Sequence, residues 1–489
     1  MIGDMASTSI SNDPHPPPAA GAAPRPGATG PLAEVGALIG LEGPGIERVD
    51  VVAGPDVWRG PLPLDDLAAG LVAAALAALS ELHAGRTGSA AAGVVVERRH
   101  AAASFLAEGL VEPQGWTLPP VWDPIAGDYL ASDGWIRLHT NYGHHRRAAL
   151  RALELADRPD LGRDAVAAAV AGWWADALEQ AVVDAGGVAA AQRAEGAWWH
   201  TDAGAAVRAE PLVALTTRAA AGRPLGRLAA EALPLTGVRV LDLTRVLAGP
   251  VCTGFLAAWG ADVLRIDPPD FDEVPAVVPV TTAGKRTARL DLASAAGREQ
   301  LLALVAEADI VVHGYRSDAL AKLGAGPERW CEVRPDLVEV ALDAYGWTGP
   351  WRHRRGFDSL VQHTSGITAI GQAAAGAERP VPMPCQALDH GCGWLLGASA
   401  VAGLARRART GAGTSARVSL ARLASWLVDQ PCSGDPQRPA PTLDDLGPYL
   451  TVAPTAWGPL RRLAWPGRLG DLLPAMGRSV PIGAGAARW

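Results

Sequence analysis

The sequence predicts an α/β protein with a Rossmann-like parallel sheet and crossover helices, together with a smaller α+β domain. In the second half, short β-rich runs alternate with helical segments at about 250–259, 295–307 and 327–334. The β-rich runs are residues 237–244, 261–267, 308–315 and 335–342. Such alternation is typical of parallel strands joined by helices. In the first half, a strand at 133–141 precedes helices at about 145–156, 163–181 and 188–195, which predicts the smaller domain.

Composition argues against several classes of protein. The chain has 489 residues and a net charge of −8, which disfavours nucleic acid as a partner. Every apolar run of membrane-spanning length has a charge or turn residue beside it, so no membrane partner is expected. The N-terminus is rich in Pro, Ala, Gly and Ser and lacks the basic and apolar regions of a signal peptide. This pattern predicts a disordered tail at 1–30.

The spacing of cysteines, histidines and glycines disfavours disulfides, metal and NAD. All five cysteines lie in the second half without a paired spacing, which predicts reduced thiols and a cytoplasmic protein. His144 and His145 are adjacent, but no third ligand follows at a familiar spacing, so no metal site is predicted. The glycines of 247–254, after the first predicted strand of the sheet, do not form the GxGxxG fingerprint of NAD-binding proteins.

An aspartate at the head of an apolar helix occurs twice in the chain. Asp389 precedes the apolar run 394–404, and Asp66 precedes a similar run. A glycine follows each aspartate by four residues, and an Arg-Thr-Gly sequence ends each run, with a constant offset of 323 between the copies. This is an internal repeat. An aspartate in this position is ordinarily a helix N-cap, and the surroundings of Asp389 favour a catalytic role instead.

Several motifs in the second half, taken in order, resemble the class III CoA-transferases, the family of formyl-CoA transferase and carnitine CoA-transferase. The motifs are LTGVRVLDLTRVLAGPVCTGFLAAWGADVLRID (235–267), GKRTARLDL (284–292), ADIVVHGYRSDALAKLG (308–324), RPDLVEVALDAYGWTGPWRHRRGFDSLVQHTSGI (334–367) and the Asp389 helix with RTGAG (409–413). The resemblance implies a transferase with no tightly bound cofactor, whose substrates are acyl-CoA and a carboxylic acid. It also implies a homodimer.

The same resemblance implies roles for individual residues. Asp389 occupies the position of the covalent nucleophile, which attacks the acyl-CoA thioester and later carries CoA as an aspartyl thioester. The glycines of 389–393 could supply backbone N–H groups to the oxyanions. The implied CoA-binding positions are Arg245, Val246, Leu247, Ala248, Asp291, Ser294, Gly314, Tyr315, Arg316, Lys322 and Arg355. The arginines are suited to the phosphates of CoA, because a guanidinium binds phosphate in bidentate fashion.

The order of segments departs from the family pattern. A segment resembling the Asp helix and small domain, about 61–200, precedes the Rossmann-like half instead of following it. We therefore predict a tail at 1–30, a partial copy with Asp66 at 31–230, the Rossmann-like CoA-binding half with Asp389 at 231–430, and a C-terminal return tail at 431–489. A permutation with the helix duplicated, or a fusion of two truncated copies, would explain this order. Asp66 is interpreted as a relic or a helix cap.

Two other functions compete with the transferase. A 2-methylacyl-CoA racemase of the same fold needs a His/Asp pair, but Phe357 stands where such racemases have the histidine of a GHD motif. A non-catalytic CoA-binding paralogue would explain the unusual order, whereas retention of Asp389 and its glycines argues against it.

Overall fold

A computed structural model describes residues 26–41, 44–316, 318–432 and 434–489, with side chains from residue 30 onwards apart from those of 44 and 45. Most of the predicted tail at 1–30 therefore lies outside the described residues. The first helix begins at Pro26, inside that predicted range.

The first half combines a long buried helix with several short helices and strands. Its helices are α1 (Pro26–Ile39), α2 (Pro44–Glu47), α3 (Leu64–Thr87), α4 (Arg98–Ala103), α5 (Gly143–Ala152), α6 (Arg163–Val170), α7 (Ala175–Asp184) and α8 (Asp202–Ala209). Its strands are β1 (Val49–Val52), β2 (Val94–Glu97), β3 (Val111–Pro113), β4 (Gly127–Leu130), β5 (Trp135–Leu138), β6 (Ala189–Ala191) and β7 (Ala214–Arg218).

The second half alternates strands and helices as far as α17. Its helices are α9 (Ala248–Ala258), α10 (Val278–Thr281), α11 (Ala295–Glu307), α12 (Ala319–Lys322), α13 (Pro327–Val333), α14 (Asp358–Thr364), α15 (Ile367–Ala375), α16 (Ala387–Thr410) and α17 (Leu420–Val428). Its strands are β8 (Arg239–Leu243), β9 (Asp262–Asp267), β10 (Arg286–Arg289), β11 (Ile310–His313), β12 (Val338–Asp343), β13 (Gly413–Ser419), β14 (Leu450–Pro454), β15 (Pro459–Leu463) and β16 (Arg468–Leu469). Short 3₁₀ helices cover Ser104–Leu106, Trp198–His200 and Asp444–Tyr449.

The central layer is a seven-stranded sheet with the order β10-β9-β8-β11-β12-β13-β7. Strands β8 to β13 are parallel, and β7 from the first half is antiparallel to β13. Taken in chain order, the six parallel strands follow the 3-2-1-4-5-6 arrangement of doubly wound nucleotide-binding sheets. The predicted α/β class and Rossmann-like sheet are confirmed, since β8, β9, β11 and β12 lie within or overlap the four predicted runs.

The smaller α+β unit is built on the sheet β4-β5-β6, which packs against α5, α6 and α7 in a hydrophobic cluster of its own. Strand β5 confirms the strand predicted at 133–141. The single helix predicted at 163–181 is two helices, because the backbone turns at Gly172 and is extended at Trp174. The helix predicted at 188–195 is wrong. The alanines there form β6, since pairing with β5 overrides alanine's helix propensity.

The repeated helices α3 and α16 lie against each other at the centre of the main hydrophobic core. Each has 24 residues and ends at a glycine in the left-handed region, Gly88 with φ 76° and Gly411 with φ 75°. The positions at which the two helices begin and end differ by the same offset of 323 as the sequence repeat. The first and second halves therefore share one core around this helix pair.

Among the described residues, α3 has the length and apolar character of a membrane span, with a mean hydropathy of 1.6. However, 89% of that apolar window is buried inside the protein, as in the core helix of a globular fold.

Candidate active site

A cavity at the central sheet lies where the strand order reverses. Arg245 follows β8 and Gly314 follows β11, and these neighbouring strands have connections leaving in opposite directions. Ligands bind at this edge of doubly wound sheets, outside the carboxyl ends of the strands. The cavity has a volume of about 390 Å³ and is lined by both residues and by Asp389. Its position and size suit part of a nucleotide-bearing ligand.

The structure brings most of the predicted site residues together at this cavity. The predicted residues that line it are Arg245, Val246, Ala248, Gly314, Tyr315, Arg316, Arg355 and Asp389. Among the unpredicted cations, Arg352 and Arg354 also line it. Arg245 contacts the ring of Phe271 at 4.2 Å and donates to the Tyr315 hydroxyl at 3.2 Å. These arginines give the entrance a positive charge that suits a phosphorylated ligand.

Four predicted residues lie outside the lining of this cavity. Leu247 is buried immediately before α9. Ser294 caps α11 by accepting from the Gly297 N–H, and Asp291 accepts from the Ala293 N–H, so both support local backbone turns. Lys322 is exposed and pairs with Asp318.

The loop between β8 and α9 is held in a strained conformation. Val246 has φ 66°, which is uncommon for any residue except glycine and costs a β-branched side chain most. Its N–H donates to Glu273 Oε2 at 2.8 Å, and Tyr142 donates to Oε1 of the same carboxylate at 2.7 Å. Arg265 also donates to Glu273, at 3.1 Å. The buried Glu273 therefore fixes the loop that forms one wall of the cavity.

Asp389 lies in the first turn of α16 and does not cap that helix. The cap is supplied by Asp358 of α14, whose Oδ2 accepts from the backbone N–H groups of Leu388 at 2.8 Å and Asp389 at 3.0 Å. Gln362 donates to the other oxygen of Asp358. The Asp389 carboxyl is thus left without a structural hydrogen bond among the described residues, and it faces the cavity. The helix-cap interpretation does not fit this geometry.

The electrostatic surroundings of Asp389 favour its protonated form. Burial raises the pKa of Asp389 well above its usual value, and the nearby negative charges of Asp358 and Glu108 raise it further. Burial also raises the pKa of Asp358. The positive end of the α16 dipole and the cavity arginines act to lower the pKa of Asp389, since both stabilise a carboxylate. A perturbed carboxyl in a cleft is a candidate for a catalytic group.

The glycines after Asp389 allow close packing. A Cβ on Gly393 would lie 2.6 Å from the carbonyl oxygen of Ala248, and one on Gly391 would lie 2.6 Å from Leu423 Cδ2. Both glycines lie beyond the first turn of α16, where backbone N–H groups bond within the helix. The structure therefore gives these two glycines a packing role in place of the oxyanion contacts implied by the resemblance.

The model of CoA-transferase family III matches residues 235–442, which contain the six parallel strands of the central sheet, the cavity arginines and Asp389. Residues 235–442 belong to CoA-transferase family III. The chain is 34% identical over 200 residues to an acetyl-coenzyme A transferase of Hypoxylon pulicicidum, with 40% of this chain and 34% of that protein covered.

Two bacterial proteins give similar matches. A probable fatty acyl-CoA transferase of Mycobacterium tuberculosis is 31% identical over 209 residues, covering 40% of this chain and 52% of its own length. A succinate–glutarate CoA-transferase of Agrobacterium fabrum is 31% identical over 249 residues, covering 46% of this chain and 62% of its own length. The chain thus spans about a third to three fifths of the length of these relatives.

Residues outside the family III segment complete the cavity from the same chain. Tyr142, His144 and His145, at the start of α5, also line it. Phe357 stacks on His139 with ring centroids 3.9 Å apart, and His145 packs edge-on against Phe357 at 5.8 Å. Sequence reasoning considered the two adjacent histidines only as metal ligands. Among the described residues, no group of three or more His, Cys, Asp or Glu could hold a metal ion.

Asp66, the counterpart of Asp389 in the first copy, is engaged in an ion pair. Arg98 donates to Asp66 Oδ1 at 2.6 Å and to Asp56 Oδ1 at 2.5 Å. The adjacent Asp65 accepts from the backbone N–H groups of Val57 and Trp58, at 2.6 and 3.3 Å. The corresponding site in the first copy is therefore filled by the protein's own cation, which supports the interpretation of Asp66 as structural.

Proposed function

We propose that this chain is a CoA-transferase that moves CoA from an acyl-CoA donor to a carboxylic acid acceptor, with Asp389 as the covalent nucleophile. The observation that carries the proposal is the buried Asp389 carboxyl, which has no hydrogen-bond partner in the described part of the chain and faces a cavity lined by arginines. The transferase names of the relatives support the same chemistry.

Each step of the reaction exchanges one acyl bond for another. The Asp389 carboxylate attacks the thioester carbonyl, and the C–S bond breaks. CoA departs as the thiolate, and a mixed anhydride forms between Asp389 and the acyl group. The thiolate attacks the aspartyl carbonyl, releasing the donor acid and forming an aspartyl-CoA thioester. The acceptor carboxylate attacks the aspartyl thioester and displaces CoA thiolate, which forms a second anhydride between Asp389 and the acceptor. The thiolate then attacks the acceptor's carbonyl carbon in this anhydride. New acyl-CoA and free Asp389 result.

The protein's own residues assist these steps by position and charge. Arg245, Arg316 and Arg355 would bind the phosphates of CoA and hold the thioester near Asp389. By accepting the first N–H groups of α16, Asp358 fixes the turn that carries the nucleophile. Because burial raises the pKa of Asp389, activity is expected to fall as the solution becomes acidic.

The test is mass spectrometry of the intact protein after incubation with acetyl-CoA or succinyl-CoA and trapping with hydroxylamine. We expect a hydroxamate at Asp389 in the wild type and in Asp66→Asn, and none in Asp389→Asn. An adduct that persists in Asp389→Asn would refute the assignment, as would the absence of any adduct with a broad panel of acyl-CoAs.

A racemase would exchange the α-proton of an acyl-CoA without forming an adduct. Phe357 carries no titratable atom, which argues against this activity. Deuterium incorporation from D₂O into the acyl group, without CoA transfer, would favour the racemase over the transferase.

The first half is proposed to act as the small domain of its own chain. Its residues Tyr142, His144 and His145 line the cavity of Asp389, which supports the proposal that the order of segments is rearranged. The homodimer and the cytoplasmic location stay predictions.

A further inference from the structure

A second, smaller cavity lies between α16 and the C-terminal segment that contains β15. Its volume is about 40 Å³, and its lining includes His390 and Trp394 of α16 and Arg462 of β15. Other residues of the lining, among them Ala107 and Val280, are only partly buried, so the cavity lies near the protein surface. A small ion can therefore reach it from the solvent side, without passing through the cavity of Asp389.

Arg462 is a buried cation without a counterion among the residues that the structure describes. It is 3% exposed, and its Nε and Nη1 have no hydrogen-bond partner in that part of the chain. Burial alone lowers the pKa of Arg462 to about 10. By contrast, the buried Arg265 is paired with Asp267 and Glu273. A buried charge without a partner is strongly unfavourable, so the Arg462 guanidinium is suited to an anion taken from solvent.

Two further side chains of the same cavity have unsatisfied polar atoms. Trp394 Nε1, which can only donate, and His390 Nδ1 have no hydrogen-bond partner among the described residues. His390 Nε2 is bonded to Glu108 Oε2 at 2.8 Å, so the charge of Glu108 is directed to His390. When His390 is protonated, its Nδ1 becomes a further donor. The guanidinium, the indole and the imidazolium thus present donors, and no free acceptor, around one small cavity.

We propose that this cavity binds a small inorganic anion, chloride, between Arg462 and Trp394, with protonated His390 as a third donor. The single uncompensated charge of Arg462 calls for a monovalent anion. A buried water needs about 10–15 Å³ of cavity volume, so a cavity of about 40 Å³ holds a monatomic ion and excludes the five heavy atoms of sulfate or phosphate. The bound ion would join β15 to α16. This site is independent of the proposed transferase activity.

Thermal unfolding of the full-length protein tests the site, with gluconate replaced by chloride at constant ionic strength. The wild-type Tm should rise and saturate, by about 2–3 °C at a hundredfold excess of chloride over its dissociation constant. The Tm of Arg462→Met should not respond to chloride. Without chloride, this variant should be at least as stable as the wild type, because the uncompensated buried charge is gone. A wild-type Tm that does not respond to chloride would overturn the proposal.

Arg461 provides a matched control on the same strand. It is adjacent to Arg462 in β15 but pairs with Glu112 at the surface, at 3.0 Å. Arg461→Met should therefore keep the chloride response, and equal losses in the two variants would contradict the proposal. Trp394→Phe keeps an aromatic ring but removes one donor, so it should raise the half-saturating chloride concentration severalfold. A response that is lost in Arg316→Gln and kept in Arg462→Met would assign chloride to the larger cavity and refute this site.

Two other anions locate the site and separate it from general salt effects. Bromide has the charge of chloride and scatters X-rays anomalously, so crystals grown in bromide should show an anomalous peak between Arg462 and Trp394. No peak in this cavity would reject the proposal. Sulfate is too large for the cavity, so it should change the Tm of the wild type and of Arg462→Met equally. A sulfate response that depends on Arg462 as strongly as the chloride response would contradict a site for a monatomic ion.

Discussion

Replacing Gly393 by alanine tests whether the contact between α16 and α9 shapes the cavity. A Cβ at this position would lie 2.6 Å from the Ala248 carbonyl oxygen and 2.7 Å from Val251 Cβ. Ordinary contact begins near 3.4 Å, so the start of α9 must move by roughly 0.8 Å. Because the oxygen belongs to the backbone, no rotation of a side chain can relieve the contact.

The expected cost follows from two opposing effects. Overpacking of a close-packed interior destabilises by about 1–3 kcal/mol. Alanine is favoured over glycine inside a helix by about 1 kcal/mol. Gly393→Ala should therefore reduce the free energy of unfolding by up to about 2 kcal/mol. Because Ala248 lines the cavity, acyl-enzyme formation should also slow, and a displacement of this size near the reacting atoms can reduce the rate by about a hundredfold.

Gly85→Ala in α3 is the control. Gly85 is a solvent-exposed position in the interior of α3, and nothing lies within 4 Å of the added Cβ. This change should therefore raise the free energy of unfolding by up to about 1 kcal/mol. Urea denaturation of both variants measures the packing cost as the difference between them. The rate of adduct formation with acetyl-CoA measures its effect on the site. Equal stability of the two variants, with equal rates, would refute this account of the contact.

Three other substitutions test separate parts of the structure. Asp389→Asn should be more stable than the wild type at neutral pH, because the raised pKa makes the ionised carboxylate unfavourable in the fold. This difference should disappear as pH falls below 3.8, the usual Asp pKa, as followed by urea denaturation across pH. Asp66→Asn should reduce the free energy of unfolding by less than about 1 kcal/mol, since Arg98 keeps its ion pair with Asp56. It should leave adduct formation unchanged. Glu273→Gln should weaken CoA binding, measured by calorimetry, because it loosens the loop at Val246; unchanged affinity would contradict that role.

Local patterns in the sequence predicted much of the fold. Alternating apolar runs predicted β8, β9, β11 and β12 because a buried parallel strand needs a continuous apolar segment. The repeat around Asp66 and Asp389 predicted two equivalent helices, and α3 and α16 begin and end at equivalent positions. Local propensity failed at β6, where pairing with β5 decided the conformation of an alanine run.

The candidate site depended more on tertiary structure. The motifs of the second half predicted Asp389 and the arginines that line the cavity, because those residues follow strands whose carboxyl ends meet at one edge. The sequence could not show that Asp358 caps α16, or that His145 reaches the cavity from the first half. Nor could it show that Arg462 is buried, with no counterion among the residues that the structure describes, while the adjacent Arg461 pairs at the surface. The sequence determined which chemical groups are present and which local elements carry them. Their burial, partners and charge environment were decided by contacts between segments hundreds of residues apart, because solvent exclusion and ion pairing depend on the assembled core.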